Sequence, residues 1–247
     1  MQGSKRIFVC GDTHGTHDIS KVLWFDASKE GELSKSDFLV VLGDWAGIWG
    51  DGFNDEIIEL YAESQFTTLI IDGNHDNHDI IHDLPKVNID HIDKPVGKIA
   101  DSVYHLTRGE VYQIHDKSIF VMGGGYSIDK EYRVEGDSWW AGEIPSEEEF
   151  AYANSNIAEH GHIVDYVLTH SPPNDVIEYL KIYCDVAIPN ISLKINIHDG
   201  CSVGLDEINS LLSYKKWYFG HLHIDHKFSL LGNEFVATYN DRPMEII

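Results

Sequence analysis

The chain is poor in cysteine, proline and methionine, and poor above all in positive charge. Its three cysteines, Cys10, Cys184 and Cys201, are scattered and include no Cys-x-x-Cys pair. That excludes a disulfide framework and a thiolate zinc site, and it predicts a reducing, cytoplasmic setting. No apolar run approaches the roughly 18 residues that would span a bilayer. The apolar stretch Ile7–Cys10 is stopped by Gly11-Asp12, too early for the core of a signal peptide, so no membrane association is expected. There is no repeat, low-complexity tract or Pro/Gly/Ser-rich linker, which predicts one domain over 1–247. Only 18 Lys and Arg stand against 41 Asp and Glu, a net charge of −23. Long nucleic acid, whose binding rests on neutralising phosphates with basic groups, is disfavoured as a partner. A small phosphorylated molecule or a phosphoprotein fits this balance better.

What the chain does have is an alternation of apolar runs and helical patterns. Arg6–Cys10, Phe38–Leu42 and Thr67–Ile71 predict buried strands, with helices over Ile19–Phe25 and Asp55–Ser64 between them. Such alternation implies parallel pairing through right-handed crossovers. Val103–Leu106, Glu110–Ile114 and Ser118–Met122 predict an antiparallel meander. Gly123-Gly124-Gly125 then opens a polar, aromatic stretch carrying Lys130, Arg133, Trp139 and Trp140 as far as Pro145. A loop of that length in a compact domain is usually functional, so 124–145 is expected to act as a lid or specificity loop. Ser146 followed by Glu147, Glu148 and Glu149 predicts a capped helix through His160. A strand over Ile163–Thr169 and helices over Asp175–Ile182 and Leu205–Leu212 follow, then closing strands at Lys215–Phe219, His226–Leu231 and Glu234–Tyr239; Ile182–Val203 has no assignment. The fold class is α/β, with a mixed, two-layered sheet flanked by helices.

Five short segments place metal-binding side chains just after strands: Gly11-Asp12-Thr13-His14-Gly15, Gly43-Asp44, Gly73-Asn74-His75-Asp76, Thr169-His170-Ser171 and Gly220-His221-Leu222-His223. In open α/β sheets, ligands sit in the crevice beyond the carboxyl ends of the strands. Asp12, Asp44 and Asn74 are 32 and then 30 residues apart, one strand-helix unit each, so they return to one sheet edge. Asp12 and His14 are two apart, as are His221 and His223; in extended backbone such pairs point to the same side. The flanking glycines permit tight turns and close approach. Oxygen and imidazole donors without thiolates suit manganese, iron or zinc, with nickel or cobalt also compatible.

The ordered set Asp-x-His, Gly-Asp, Gly-Asn-His-Asp, His and Gly-His-x-His, from Asp12 to His223, resembles the calcineurin-like metallophosphoesterase superfamily. The resemblance implies two packed mixed sheets between layers of helices, a four-layer αββα fold, with two divalent metal ions at one end, manganese first among the candidates. Asp12, His14 and His223 would bind the first ion, Asn74, His170 and His221 the second, and Asp44 both. A water activated between the ions would attack phosphorus in line, and His75 would contact the phosphate and protonate the leaving group. The expected reaction is hydrolysis of a phosphomonoester or phosphodiester. A nuclease of the same superfamily and a catalytically silent metal-binding scaffold are the alternatives. The protein phosphatases of the superfamily carry Gly-Asp-x-x-Asp-Arg-Gly, whereas Gly43-Asp44-Trp45-Ala46-Gly47 lacks the second Asp and the Arg. Lys130 or Arg133, reaching over from the middle loop, are the candidate substitutes for phosphate binding.

Overall fold

The structure is a computed structural model and describes residues 5–184, 199–239 and 242–246. Most of the unassigned 182–203 stretch lies outside the described residues.

Strand β1 (Ile7–Cys10) leads through α1 (Ser20–Ser28) to β2 (Phe38–Leu42). A two-residue hairpin, β3 (Ile48–Trp49) and β4 (Gly52–Phe53), precedes α2 (Asp55–Glu63) and β5 (Thr67–Ile71). Strands as uniformly apolar as Phe-Leu-Val-Val-Leu fit only where both faces are covered, and all five of these residues are buried. Asn54 starts α2 by accepting the Ile57 N–H. The chain continues through α3 (His78–Ile81), β6 (Lys86–Val87), β7 (Val96–Ala100), β8 (Val103–His105), β9 (Val111–Ile114) and β10 (Lys117–Met122). Two short 3₁₀ turns punctuate the middle loop before α4 (Glu147–Glu159), whose amino end is a reciprocal capping box between Ser146 and Glu149. Then come β11 (Tyr166–Thr169), α5 (Asn174–Cys184), α6 (Gly200–Leu211), β12 (Lys216–Phe219), β13 (His226–Leu230), β14 (Asn233–Ala237) and β15 (Met244–Glu245).

The strands form two large mixed sheets. One runs β15-β1-β2-β5-β8-β7-β6, the other β13-β14-β12-β11-β10-β9. Each has a parallel centre with antiparallel edges, and the parallel centres carry the loops that matter for function. The sheets pack face to face: Ile7, Val9, Val40 and Leu69 from the first share one core with Ile119, Val121, Leu168 and Tyr218 from the second. The outer face of the first sheet is covered by α1 and α2 through Val22, Phe25, Ile57 and Tyr61. The outer face of the second is covered by α4, α5 and α6 through Ile157, Val176, Leu205 and Ile208. Alternate residues of β1 serve different layers, Ile7 and Val9 inward and Phe8 and Cys10 outward, as the two-residue period of a strand demands.

Several expectations need correction. The meander over 103–122 is divided: β8 pairs in parallel with β5 in the first sheet, while β9 and β10 form a hairpin in the second. Hydrophobic periodicity marks a short strand but carries no information about which sheet it joins. Strand β11 starts at Tyr166 because Ile163 makes only an isolated bridge to Ser213. Helix α6 begins at Gly200 rather than Leu205, since the Asp199 side chain accepts the Ser202 N–H there. Among the described residues, no helix is long and apolar enough to cross a membrane.

Candidate metal centre

The loops after β1, β2 and β5 meet those after β11 and β12 at the carboxyl ends of both parallel centres. Asp12, Asp44, Asn74 and His170 are buried there, His14, His75 and His221 are partly buried, and His223 is exposed. The expected extended backbone is absent. Asp12, His14, Asp44, His221 and His223 adopt left-handed φ values of 42°, 42°, 51°, 62° and 53°. Non-glycine residues in this region cost of order 1–3 kcal/mol each and persist only where their surroundings over-determine them. Here they do. His14 N–H donates to the Asp44 carbonyl at 2.7 Å, His75 N–H to Asp44 Oδ1 at 2.8 Å and His221 N–H to Asp12 Oδ2 at 2.9 Å. Two glycines are obligatory. A Cβ on Gly43 (φ 88°) would lie 2.1 Å from His170 Nδ1, and one on Gly73 2.2 Å from Asp44 Oδ1.

The donor atoms fall into two groups around Asp44. In the first, donor atoms of Asp12, His14, Asp44 and His223 lie within 4.8 Å of one another. His14 Nδ1 lies 2.9 Å from Asp18 Oδ2 and donates to it, so in the neutral ring Nε2 carries the lone pair, 3.4 Å from Asp44 Oδ2. In the second, His170 Nδ1 donates to the Leu42 carbonyl at 2.7 Å, and its Nε2 lone pair faces Asn74 Oδ1 at 2.9 Å and His221 Nδ1 at 3.2 Å. The Asn74 amide nitrogen is committed to Ser127 Oγ at 3.0 Å, so its oxygen is the atom turned inward. In the His221 tautomer that leaves Nδ1 unprotonated, three acceptors converge there. A divalent cation satisfies that arrangement, so the residues present fit a metal at both groups.

The electrostatics agree. Burial works against the Asp44 carboxylate, but His170, His75 and His14 outweigh it and hold its pKa well below the usual range. His14 is opposed by burial too, yet the bonds and charges of Asp44, Asp12 and Asp18 raise it to about 9. Burial and the charge of His170 pull His221 down to about 3, while Asp44 and Asp12 lift His170 against its burial.

His75 projects beside this pair, its ring 6.2 Å from His14 and 5.9 Å from Trp49, measured between ring centres. Burial lowers its pKa, and Asp44 resists. The middle loop packs against the rim: Trp140 is buried and meets Trp49 edge-on at 5.1 Å. Arg133 lies over Trp49 at 5.7 Å but is held in two bonds by Asp129, at 2.7 and 2.6 Å. Lys130 faces the rings of Tyr126 and Trp139 in its own loop. Arg133 is therefore brought to the edge of the site, and Lys130 is not placed against the donor groups. Trp45, next to Asp44, is fully buried against Tyr61 and belongs to the core.

Further side chains support the donors. Asp76 accepts the N–H groups of Ala46 and Gly73 and so joins the two loops that carry Asp44 and Asn74, while Asn77 caps α3. Burial and the nearby Asp44 raise Asp76 to about 7. Asp72, two residues before Asn74, is buried under a cluster of Arg108, His105 and His78. Its donors approach like those of a metal site, together with His82, but Arg108 Nη2 already occupies Asp72 Oδ2 at 2.6 Å. Ser127 and Asp18 orient Asn74 and His14. The four-residue spacing of His14 and Asp18 was a readable signal; nothing in the sequence ties Ser127, Lys21 or Tyr239 to the site.

A phosphopantetheinyl hydrolase from Mycobacterium tuberculosis aligns over 99% of this chain and 97% of its own, at 16% identity and a TM-score of 0.47. A 5′-nucleotidase-like protein from Staphylococcus aureus aligns over 96% of this chain but 49% of its own, at 10% identity and a TM-score of 0.45. No curated protein sequence matches significantly. The family model for calcineurin-like phosphoesterases matches residues 5–225, from β1 through β12 and including every donor residue above. With two mixed sheets between helical layers and the donor loops gathered at one end, the chain belongs to the calcineurin-like phosphoesterase family.

Proposed function

We propose that this protein hydrolyses a phosphomonoester or phosphodiester of a small phosphorylated molecule or phosphoprotein, using two divalent cations. One observation carries the reading. The buried Asp44 carboxylate turns Oδ2 toward His14 Nε2 and Oδ1 toward His170 Nε2, each at 3.4 Å, so one side chain serves two donor groups. Asp12, His14 and His223 would hold one cation, Asn74, His170 and His221 the other, and Asp44 both. Bound there, the cations would acidify a shared water and neutralise the oxygens of a phosphate in line with it. Manganese is the first choice, with iron, zinc, nickel or cobalt compatible with the same donors.

The chain's own residues supply the rest. Asp18 and the Leu42 carbonyl fix the tautomers of His14 and His170, so that both Nε2 atoms present lone pairs. His75, tied to Asp44 by its backbone and set at the rim, delivers a proton to the leaving oxygen; its lowered pKa makes the protonated ring a stronger acid. Arg133, fixed by Asp129 above Trp49, gives the 124–145 loop a cation for the substrate's phosphate, with Lys130 a second candidate on the same loop.

The test compares manganese-loaded protein on an aryl phosphate monoester, an aryl diester and single-stranded DNA, with chelated protein and Asp44→Asn as controls. Metal-dependent turnover of an aryl ester, lost in both controls, is expected. Full activity after chelation sinks the reading. Preference for DNA transfers the assignment to a nuclease, and two bound ions without any turnover to a scaffold.

A further inference from the structure

Lys21 is a buried lysine on α1 that the reaction described above does not use. Its Nζ donates to the carbonyl oxygens of Gly11 at 2.5 Å, Asp12 at 2.9 Å and Tyr239. An ammonium has three N–H donors and no acceptor, so this set is complete. The Gly11 and Asp12 carbonyls belong to the strained turn that aims the Asp12 carboxylate, and Tyr239 lies more than two hundred residues away, just after β14. Lys21 therefore joins the first donor loop to the last.

The Tyr239 ring extends the same connection. Its face lies over Lys21 Nζ at 5.0 Å and is stacked on the His223 imidazole, centres 4.3 Å apart and planes 4° from parallel. Its edge also reaches His14, at 6.5 Å. His223 needs such a support. Its side chain is 45% exposed, and its Nε2 stands 3.6 Å from Asp12 Oδ1, beyond hydrogen-bond reach. In the other donor group Ser127 supports Asn74 and the Leu42 carbonyl supports His170, neither through Lys21 or Tyr239; only His221 touches the Asp12 turn, through its backbone N–H.

We propose that Lys21 and Tyr239 are positioning residues for the ion held by Asp12, His14 and His223, and that they govern its affinity more strongly than that of the second ion. The inference rests on the two-cation reading. Lys21 shapes the Asp12 turn from behind, and Tyr239 holds the exposed His223 ring in the orientation that faces Asp12.

The test is manganese binding to full-length protein, read as ions per chain after dialysis and by electron paramagnetic resonance. Wild type is expected to hold two ions with the signal of an exchange-coupled pair. Tyr239→Leu, at a half-buried position, should weaken one ion by about 10- to 100-fold, as loss of a ligand's supporting partner typically does. The ratio then falls toward one and the signal becomes that of isolated manganese. Tyr239→Phe, which keeps the ring and the carbonyl, should restore two ions, a rescue that general loosening of the segment would not give. Lys21→Met should reproduce the loss; should it fail to fold, the Tyr239 pair decides alone. Two tightly held ions in Tyr239→Leu, or equal weakening of both, overturns the inference. Fewer than two ions in wild type overturns the two-cation reading itself, and this inference with it.

Discussion

Asp44 combines near-complete burial with three flanking imidazoles, and the consequences can be followed residue by residue. Its carboxylate stays ionised only because His170, His75 and His14 outweigh the cost of burial. Replacing it by Asn should abolish paired metal binding, read as loss of the second ion in titration. His75→Ala should leave both ions in place and lower turnover about 10²- to 10⁴-fold, the usual contribution of a positioned proton donor. His14 sets a pH dependence. Its metal-free pKa is raised to about 9, so below that pH a cation must displace a proton to enter. Affinity should rise with pH up to about 9 and then flatten. Calorimetry in buffers of different ionisation enthalpy should detect proton release at pH 7 that fades above pH 9; no release at pH 7 contradicts the assignment.

Helices and strands act here mainly as mounts. Asp72 directly follows β5 and meets the Gly123-Gly124-Gly125 turn, where Gly124 N–H donates to its carbonyl at 2.9 Å. Its side chain pairs with Arg108, and both are buried. Removing one partner of a buried pair strands the other, so Arg108→Met should cost about 3–5 kcal/mol in denaturant unfolding. Asp72 also carries an acid dependence. Arg108 and His105 outweigh its burial and hold the folded-state pKa well below 3.8, so below that value the unfolded chain takes up the proton more readily. Its stabilisation is present above about pH 4 and is lost as pH falls through the folded-state pKa. Arg108→Met should remove that slope. Helix α4 is a simpler mount, and Ser146→Ala, which breaks its capping box, should cost about 1 kcal/mol with metal binding unchanged.

For the molecule as a whole, the site is the place where the two sheets present their parallel carboxyl ends to each other. Asp12, Asp44 and Asn74 come from one sheet, and His170, His221 and His223 from the other. A cation held by both sheets would link them. Adding manganese at about a hundred times its dissociation constant should stabilise folding by roughly 2.7 kcal/mol per site, seen as a rise in Tm that chelation reverses. A Tm indifferent to metal would separate the donor groups from any binding role.

Much of this was legible without coordinates. The uniformly apolar β1, β2 and β5, and the glycine-bounded motifs that follow them, follow from burial on both faces and from one strand-helix unit per return to the sheet edge. Local chemistry also marked the α4 cap. Other features depend on neighbours far away in sequence. Which sheet receives β8, the left-handed turns at Asp12 and His14, and the arrival of Tyr239 against His223 follow from packing and hydrogen bonds between remote segments. The linear order of residues determined which donor atoms are available and roughly where each loop begins. Only the tertiary structure decided how they face one another, because lone pairs converge through the meeting of two sheets and no spacing rule spans that contact.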